Sequence, residues 1–441
     1  MKGLRDYISG LKLLSRNLWL FLCSVLVMGI GRQIFMVLRN QYLVDLGLPD
    51  PQVTSVQAFN SLGGLLIVVP ALVIIGRFRA KSLLLCIVGV NSCGFFLQGA
   101  FGTLEVFRGA ALAAGVSMSL NMALAAPFLM RQSTPGARLF AFSLNSAVGW
   151  PLSGFVGSFL SGELQLRFAR FAGDSIEFFG QDVSGRMFGY RATLLVAAAL
   201  VLLAIVPISL IREEPAEGKG KSIRQLFRVS EKKRLLLLGL PEMIIGIGAG
   251  LTIPFFNVYF KNEWGLNPQQ IAPIFMAMFG LLVISYLLQP VLVKRFGPVK
   301  VMIASQILSL PFFIELALGN FLWLAIAAFI ARQCLMNASD PIYKQFAQEV
   351  MPDQDRNAVA LFVHSSRHAF FTVANFASGY LIALDGGHFR IVIVTTIVCY
   401  VLAIGVELAI LPGLNRARRY RLAVSERTSR RLIELPPSLH I

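Results

Sequence analysis

Long apolar runs alternate with short polar connections along the whole chain. Twelve of these runs have about 20 mostly apolar residues, the length that a helix needs to cross the hydrocarbon core of a bilayer. They lie near 17–39, 52–76, 81–101, 105–130, 139–162, 190–211, 235–260, 269–293, 299–318, 321–345, 357–382 and 389–412. The pattern therefore predicts an all-helical membrane protein with twelve transmembrane spans.

The polar connections predict how the spans are grouped. The longest polar interruption between spans six and seven, 212–234, lies at the midpoint of the chain. A second connection, 163–189, is expected on the opposite side of the membrane. We therefore predict an N-terminal six-helix half (1–211), a cytoplasmic linker (212–234), a C-terminal half (235–415) and a basic cytoplasmic tail (416–441).

Composition agrees with a membrane protein. Of the 441 residues, 56% are hydrophobic and 14% are charged, whereas a soluble domain has roughly 25% charged residues. The net charge of +17 would suggest nucleic acid in a soluble protein. Here Lys and Arg concentrate in connections on one side, which predicts both termini in the cytoplasm and no nucleic-acid partner. We expect the plasma membrane of a prokaryote, with membrane lipid around the bundle.

The two halves repeat each other, polar residues included. Repeated halves are typical of transporters, in which the substrate site forms at their interface. We expect the repeated Asn and Tyr at the outer rim, either as a gate or as interfacial anchors. The matching pairs include Asn40 and Asn257, Tyr42 and Tyr259, Gly47 and Gly265, and Arg77 and Arg295.

Two loop sequences carry a family resemblance. "LVIIGRFRAKS" (72–82) and "PVLVKRFGPVK" (290–300) resemble the loop motif of the major facilitator superfamily, although both lack its acidic residue. The resemblance implies two pseudo-symmetric six-helix bundles and secondary transport by alternating access. It also implies a cytoplasmic gate near Arg77, Lys81, Lys294 and Arg295, and the lost acid puts the latch of that gate in doubt.

The fourth and fifth spans add weaker motifs. "FRGAALAAG" (107–115) is similar to the basic motif of the family's fourth span. "GWPLSGFVGSFLSG" (149–162) loosely resembles the glycine-proline motif of exporters, without the adjacent Gly-Pro pair. A drug or metabolite exporter is therefore an alternative to a transporter of small acidic solutes, and the direction of transport stays open.

Polar residues inside the predicted spans are the candidates for a substrate site. A charge at the bilayer centre costs at least about 2.5 kcal/mol on insertion scales, so such residues should face the bundle interior or a water-filled cavity. The candidate substrate-binding residues are Arg32, Gln33, Asn121, Arg332, Gln333, Asn337, His364, Arg367 and His368.

The arginines suggest the charge of the solute. Arg32, Arg332 and Arg367 are predicted near the middle of their spans, with no acid at the same depth. Guanidinium groups bind carboxylate or phosphate through paired hydrogen bonds, so we predict an organic anion or a metabolite with an acidic group. The alternative is that these arginines are structural and pair with Glu242, Glu315 or helix carbonyls.

The remaining polar residues leave several roles open. His364 and His368 share a helix face with Arg367, whose positive charge disfavours a metal. They form either a polar cavity wall or a proton-sensitive group. Glu242 is the candidate for proton coupling, with a structural ion pair as the alternative.

Soluble-enzyme motifs give no competing interpretation. "IIGIGAG" (244–250) lies inside a span with no strand before it, so it indicates helix packing and not a nucleotide site. We predict no metal and no cofactor. A membrane-embedded enzyme is one alternative to a transporter, although the sequence offers it only the pair His364 and His368. A non-transporting sensor or interaction protein with the same fold is another.

Overall fold

The computed structural model describes residues 11, 13–48, 50–212, 229–266, 268–319 and 321–433. Most of the predicted linker, 213–228, and the end of the predicted tail, 434–441, lie outside these described residues.

The described chain forms twelve helical spans, numbered here in chain order. The first six are Arg16–Asp45, Asp50–Leu66 with Val68–Arg77, Ala80–Phe101, Leu104–Gln132, Arg138–Ala147 with Ser153–Ala172, and Gly185–Leu203 with Ile205–Ser209. The last six are Lys232–Thr252 with Phe256–Trp264, Pro268–Phe296, Pro298–Leu318, Leu322–Val350, Arg356–Leu384 and Arg390–Ile433. The all-helical fold of twelve spans is confirmed.

Ten of the twelve described spans are long and apolar enough to cross a membrane. Span 2 is interrupted, so that its longer helix has 17 residues. Span 11 is less apolar because it carries Arg367 and two histidines. Both exceptions follow from local sequence, and the ten other helices mark an integral multi-pass membrane protein.

Short connections make consecutive spans antiparallel, so the loops alternate between two faces of the bundle. We call the face at which span 1 begins the N-terminal face. There, the Ser15 hydroxyl donates to Gln132 Oε1 at the end of span 4. The opposite face carries a β-hairpin between spans 5 and 6, and we call it the hairpin face.

The hairpin occupies the connection that was predicted as loop over 163–189. Span 5 extends to Ala172, and strands β1 (Ser175–Phe178) and β2 (Gln181–Ser184) pair antiparallel. Phe179 and Gly180 have positive φ angles of 52° and 71°. Positive φ at both central residues suits the right-handed twist of a two-residue hairpin.

The last span is longer than its sequence pattern predicted. Helix Arg390–Ile433 continues through Pro412, where we had expected a span ending at 412 and a separate tail from 416. The residues after Pro412 are rich in Leu, Arg and Ala, which are strong helix formers. Local propensity therefore extends the helix beyond its apolar part.

Each half has its own buried apolar core. One large cluster occupies the N-terminal half, and two clusters occupy the C-terminal half. Spans 2, 4 and 5 pack against spans 8, 10 and 11 across the boundary between the halves. The space between the two cores is thus bounded by helices from both halves.

The repeated tyrosines have the same role in both halves. Tyr42 donates to the carbonyl of Gly102 at 3.3 Å, and Tyr259 donates to the carbonyl of Leu316 at 3.0 Å. Both bonds tie the first span of a half to the end of its third span. Because both side chains are 2% exposed, the expectation of an interfacial anchor is wrong for them, whereas the expectation of a gate stays a prediction. The side chain of Asn40 lies outside the described set.

Candidate functional site

A cavity of 260 Å³ lies between the two halves. Spans 1, 2, 3, 4 and 6 line it from the N-terminal half, and span 11 lines it from the C-terminal half. Along span 1 the lining runs from Met28 to Arg39, a rise of about 16 Å. None of the described lining residues is Asp or Glu, whereas two are Arg and two are His.

Arg32 enters this cavity from span 1. One of its terminal nitrogens donates to the Gly149 carbonyl at 2.9 Å, and the other lies 3.6 Å from Met118 Sδ. Among the described residues, no carboxylate lies within ion-pair distance of Arg32. Its guanidinium is therefore held in place by neutral groups and keeps an uncompensated positive charge.

The carbonyl that holds Arg32 is available because of a local irregularity in span 5. Residues Val148–Leu152 form a π-turn that contains Pro151. The backbone N–H of Ser153 bonds to Trp150, so it does not take up the Gly149 carbonyl. Such turns occur often at functional sites. Gly149 and Pro151 of the exporter-like motif thus belong to the turn whose carbonyl group binds Arg32.

Arg39 is a second lining arginine that the sequence analysis missed. It lies two turns after Arg32, on the same side of span 1, and is 6% exposed. It donates to Gln57 Oε1 at 3.0 Å and lies 5.5 Å from the Phe35 ring centre. The seven-residue spacing from Arg32 was the sequence signal that could have found it.

Three further predicted residues line the same cavity from spans 4 and 11. Asn121 belongs to span 4, whereas His364 and His368 belong to span 11. The two imidazole ring centres are 4.3 Å apart. The structure therefore brings four predicted residues, Arg32 among them, to one cavity between the halves.

Four other predicted residues lie elsewhere. Gln33 points to span 5 and donates to Ser158 Oγ at 3.2 Å. Arg332 is fully buried beside span 12, where it donates to Gln333 Oε1 and, at 2.8 Å, to the Tyr400 hydroxyl. Asn337 donates to the Gln333 carbonyl at 2.8 Å. These residues do not line the cavity.

The setting of Arg332 is aromatic. Its guanidinium carbon lies 4.3 Å from the Phe313 ring centre and within 6 Å of two more rings, those of Phe256 and Tyr400. Such contacts between a cation and ring faces stabilise a desolvated guanidinium. Arg332 thus fills the core of the C-terminal half.

Arg367 corrects the expectation that no acid lies at the depth of the arginines. Its guanidinium is 3.6 Å from Glu242 and 3.5 Å from Asp340. Lys344 also pairs with Asp340, at 2.7 Å. Asp340 was missed, although its spacing from Lys344 is that of a helical ion pair. Two roles were considered for Glu242, proton coupling and a structural ion pair. Both involve this network, because the network contains the ion pair between Glu242 and Arg367.

In the part of the chain that the structure describes, one hydrogen bond links the network to the other half. Ser146 of span 5 donates to Asp340 at 3.5 Å. The network therefore lies at the boundary between the halves, beside the histidine pair of span 11. Among the described residues, no group of three or more His, Cys, Asp or Glu side chains is placed to hold a metal ion.

The predicted gate cations differ in their positions on the N-terminal face. Lys81 donates to the Ser209 carbonyl at 2.6 Å, within its own half. Arg295 lies over the ring of its neighbour Phe296. Lys294 lines a 210 Å³ crevice between the halves, together with Arg418. Arg77 is exposed at the end of span 2.

An ion pair joins the halves close to that crevice. Arg138 of span 5 lies 3.6 Å from Glu349 of span 10, and Arg418 of span 12 binds the same carboxylate at 2.5 Å. The Glu349 side chain is 2% exposed. This carboxylate, which the sequence analysis did not single out, therefore holds both halves on the N-terminal face.

Comparison with solved structures defines the class of fold. No family model matches the chain, and no curated protein sequence matches it. The fold is similar to that of the Major Facilitator Superfamily transporter FucP in the outward conformation, with a TM-score of 0.73 at 13% identity, covering 92% of this chain and 99% of that one. The chain thus has the twelve-helix fold of that superfamily, as the loop motifs had suggested.

Two further solved structures agree over similar lengths. The human organic anion transporter MFSD10 (TETRAN) matches with a TM-score of 0.71 at 13% identity, covering 89% of this chain and 99% of that one. A bacterial homologue of the iron transporter ferroportin in its outward-facing state matches with a TM-score of 0.69 at 13% identity, covering 90% and 99%. At this identity the likeness establishes the fold.

Proposed function

We propose that this protein is a secondary transporter that moves a small organic anion across the membrane by alternating access. One observation carries the proposal. The cavity between the halves contains Arg32, whose guanidinium has no carboxylate partner among the described residues, and its lining has no acidic side chain. A guanidinium that faces a cavity without a carboxylate partner suits a carboxylate or phosphate, which it binds through paired hydrogen bonds.

The fold supports transport over the alternative of a membrane-embedded enzyme. Two of the three similar solved structures are named as transporters, and the third as a homologue of an iron transporter. Transporters built from repeated halves bind the solute near the bilayer midplane, and the halves rock around it. The cavity lies between the halves, as such a mechanism requires, because helices of both halves line it.

Alternating access also needs contacts that form on one face at a time. The Arg138–Glu349 ion pair joins the halves on the N-terminal face, while the cavity extends along span 1 toward the hairpin face. We therefore assign the described conformation as open toward the hairpin face. This face is the extracellular one if the predicted topology holds.

Proton coupling is a separate part of the proposal. Glu242 and Asp340 share Arg367 at the boundary between the halves. Protonation of either carboxylate would weaken its attraction to Arg367, so the network can link proton binding to movement of span 11. An imposed pH gradient tests this part independently of the choice of solute.

The test is uptake of labelled solutes into proteoliposomes. We expect saturable flux of small carboxylates in preference to neutral or cationic solutes of similar size. Arg32→Ala should weaken anion binding by about 10-fold to 150-fold, since hydrogen bonds to charged groups contribute about 1.5–3 kcal/mol. Arg167→Ala is the matched control, because Arg167 is exposed and pairs with Glu163 of its own helix.

Two results would contradict the proposal. Absence of flux for every solute in a broad panel would reject transport itself. Flux of neutral or cationic solutes that is unchanged in the Arg32→Ala variant would keep transport but reject the anion assignment.

A further inference from the structure

The cavity presents hydrogen-bonding groups in addition to its arginines. Its lining includes several neutral polar side chains from both halves. Their N–H and O–H groups can donate to a carboxylate, but their oxygen atoms as acceptors cannot, so these acceptors bear on the rest of the solute. The side chains concerned are Gln57, Asn60, Asn91, Asn121, Asn375, Ser61, Ser117, Ser119, Ser365 and Thr372.

Several of these groups are already occupied within the protein. The Asn60 amide donates to the Ala111 carbonyl at 3.1 Å, and the Asn91 amide donates to the Ile87 carbonyl at 2.8 Å. The Thr372 hydroxyl donates to the His368 carbonyl at 2.9 Å. Their remaining capacity for a ligand is correspondingly reduced.

Asn121 and Ser365 differ from them. Asn121 Oδ1 and Ser365 Oγ are both buried and form no hydrogen bond with any described residue. A buried polar atom without a partner is uncommon and calls for an explanation. These two atoms lie on spans 4 and 11, which pack against each other from opposite halves, and both residues line the cavity.

Arg32 is close to this pair along span 4. Its guanidinium contacts Met118, and Asn121 follows Met118 by almost one helical turn, a rise of about 4.5 Å. A solute whose acidic group binds Arg32 therefore has its neighbouring atoms within reach of Asn121. The partner that Asn121 Oδ1 lacks is a hydrogen-bond donor.

The charge of the lining indicates what kind of donor this is. A solute ammonium would need a compensating negative charge, because burying an unpaired charge is costly. The described lining residues include no Asp or Glu. A neutral hydroxyl satisfies Asn121 and Ser365 without adding positive charge beside Arg32.

We propose that the solute is a small hydroxylated carboxylate, whose carboxylate binds Arg32 and whose hydroxyl groups bind Asn121 and Ser365. This inference rests on the proposed transport of an organic anion and narrows its substrate class. The 260 Å³ cavity is smaller than the range of about 300–1,000 Å³ for drug-sized ligands, which agrees with a small metabolite.

The test compares matched acids on the purified full-length protein. Lactate is compared with propionate, and gluconate with hexanoate, by the concentration that gives half of the maximal thermal stabilisation. We expect each hydroxylated acid to act at a roughly tenfold lower concentration than its deoxy partner. Alanine, which replaces the lactate hydroxyl with an ammonium, should bind more weakly than lactate.

The variants assign the preference to the two residues. Asn121→Ala and Ser365→Ala should each bring the ratio between hydroxylated and deoxy acids close to one. Asn145→Ala and Ser143→Ala are matched controls, because their buried polar atoms also lack a partner but lie outside the cavity lining. Both controls should keep the wild-type ratio. Melting of each variant without solute verifies that it is folded.

The outcomes separate this inference from the proposed function. If acids bind in an Arg32-dependent way but deoxy acids bind as tightly, or if Asn121→Ala keeps the ratio, the hydroxyl assignment fails alone and water satisfies these atoms. Equal binding of alanine and lactate would also reject the neutral donor. If no acid binds at all, the proposed anion transport fails with it.

Discussion

Two arginines in the interior of the bundle show how much surroundings determine a residue's role. Arg32 lines the cavity and is held by a backbone carbonyl and a thioether. Arg332 is fully buried among aromatic rings and a tyrosine hydroxyl. From sequence both were candidate ligands for an anion. Their contacts differ: Arg32 faces the cavity, where we propose that it binds the solute, whereas Arg332 packs inside the C-terminal half.

We therefore expect Arg332→Met to leave anion affinity within about twofold of wild type. Methionine retains much of the apolar volume between the rings and removes a desolvated charge, and replacing a buried charge with an apolar side chain is often tolerated. Arg332→Ala should instead lower the melting temperature, since a truncated core side chain leaves a cavity that costs about 2–5 kcal/mol.

Thermal melting in detergent and anion titration measure these two effects. A loss of affinity in Arg332→Met at an unchanged melting temperature would contradict the packing role and restore Arg332 as a ligand.

At the scale of elements, spans 2 and 4 cross at two glycines. A Cβ added at Gly63 would lie 2.0 Å from the Leu112 carbonyl oxygen, and one added at Gly115 would lie 1.9 Å from the Asn60 carbonyl oxygen. Both contacts involve backbone that cannot move aside. The crossing therefore requires glycine at both positions, and it places Asn60 and Asn121 along the same cavity wall.

Gly115→Ala is expected to destabilise the protein by about 1–3 kcal/mol, the usual cost of overpacking. Gly109→Ala is the matched control on the same helix, because a methyl group added there would meet no neighbouring helix or side chain within 4 Å. Alanine has a higher helix propensity than glycine by up to about 1 kcal/mol. Thermal melting should thus show opposite shifts for the two variants, and equal shifts would contradict the close crossing.

At the scale of the whole molecule, the two halves pack against each other through spans 2, 4 and 5 of one half and spans 8, 10 and 11 of the other, and polar contacts link them at specific points. Glu349 accepts from Arg418 within its own half and pairs with Arg138 of the other half. A buried carboxylate shared in this way favours the conformation in which the halves meet on the N-terminal face.

Glu349→Gln should shift the equilibrium toward the conformation that is open on the N-terminal face. Removing one member of a buried ion pair costs about 3–5 kcal/mol in the state that contains it. Spin labels on Thr134 and Arg295 report distances across the N-terminal face, and labels on Leu46 and Asn262 report them across the hairpin face. In a background without the five cysteines, the first distance should increase and the second should decrease.

Glu105→Gln serves as the control, because Glu105 is exposed and pairs with Arg108 one turn away. It should leave both distance distributions unchanged. If Glu349→Gln also leaves them unchanged, the ion pair does not set the conformation of the bundle.

The sequence by itself determined the architecture. The length and apolarity of the twelve runs predict helices that cross a bilayer. In the hydrocarbon core no water is available, so the backbone must satisfy its hydrogen bonds within each helix. The recurrence of Tyr42 at Tyr259 and of Gly47 at Gly265 revealed two halves with the same architecture. Both glycines end the first span of their half with positive φ, a conformation that glycine adopts without strain.

Tertiary structure alone decided which polar residues meet. Arg39, Asp340, Ser365 and Glu349 were missed, and the choice between a binding and a structural role for Arg332 stayed open, because position along a span gives depth but not the direction in which a side chain points. That direction depends on how each helix is rotated and on the neighbours it packs against, such as the π-turn that presents Gly149 to Arg32. Periodicity in the sequence could not fix this rotation, because interior polar residues are few and a largely apolar helix can be buried on any side.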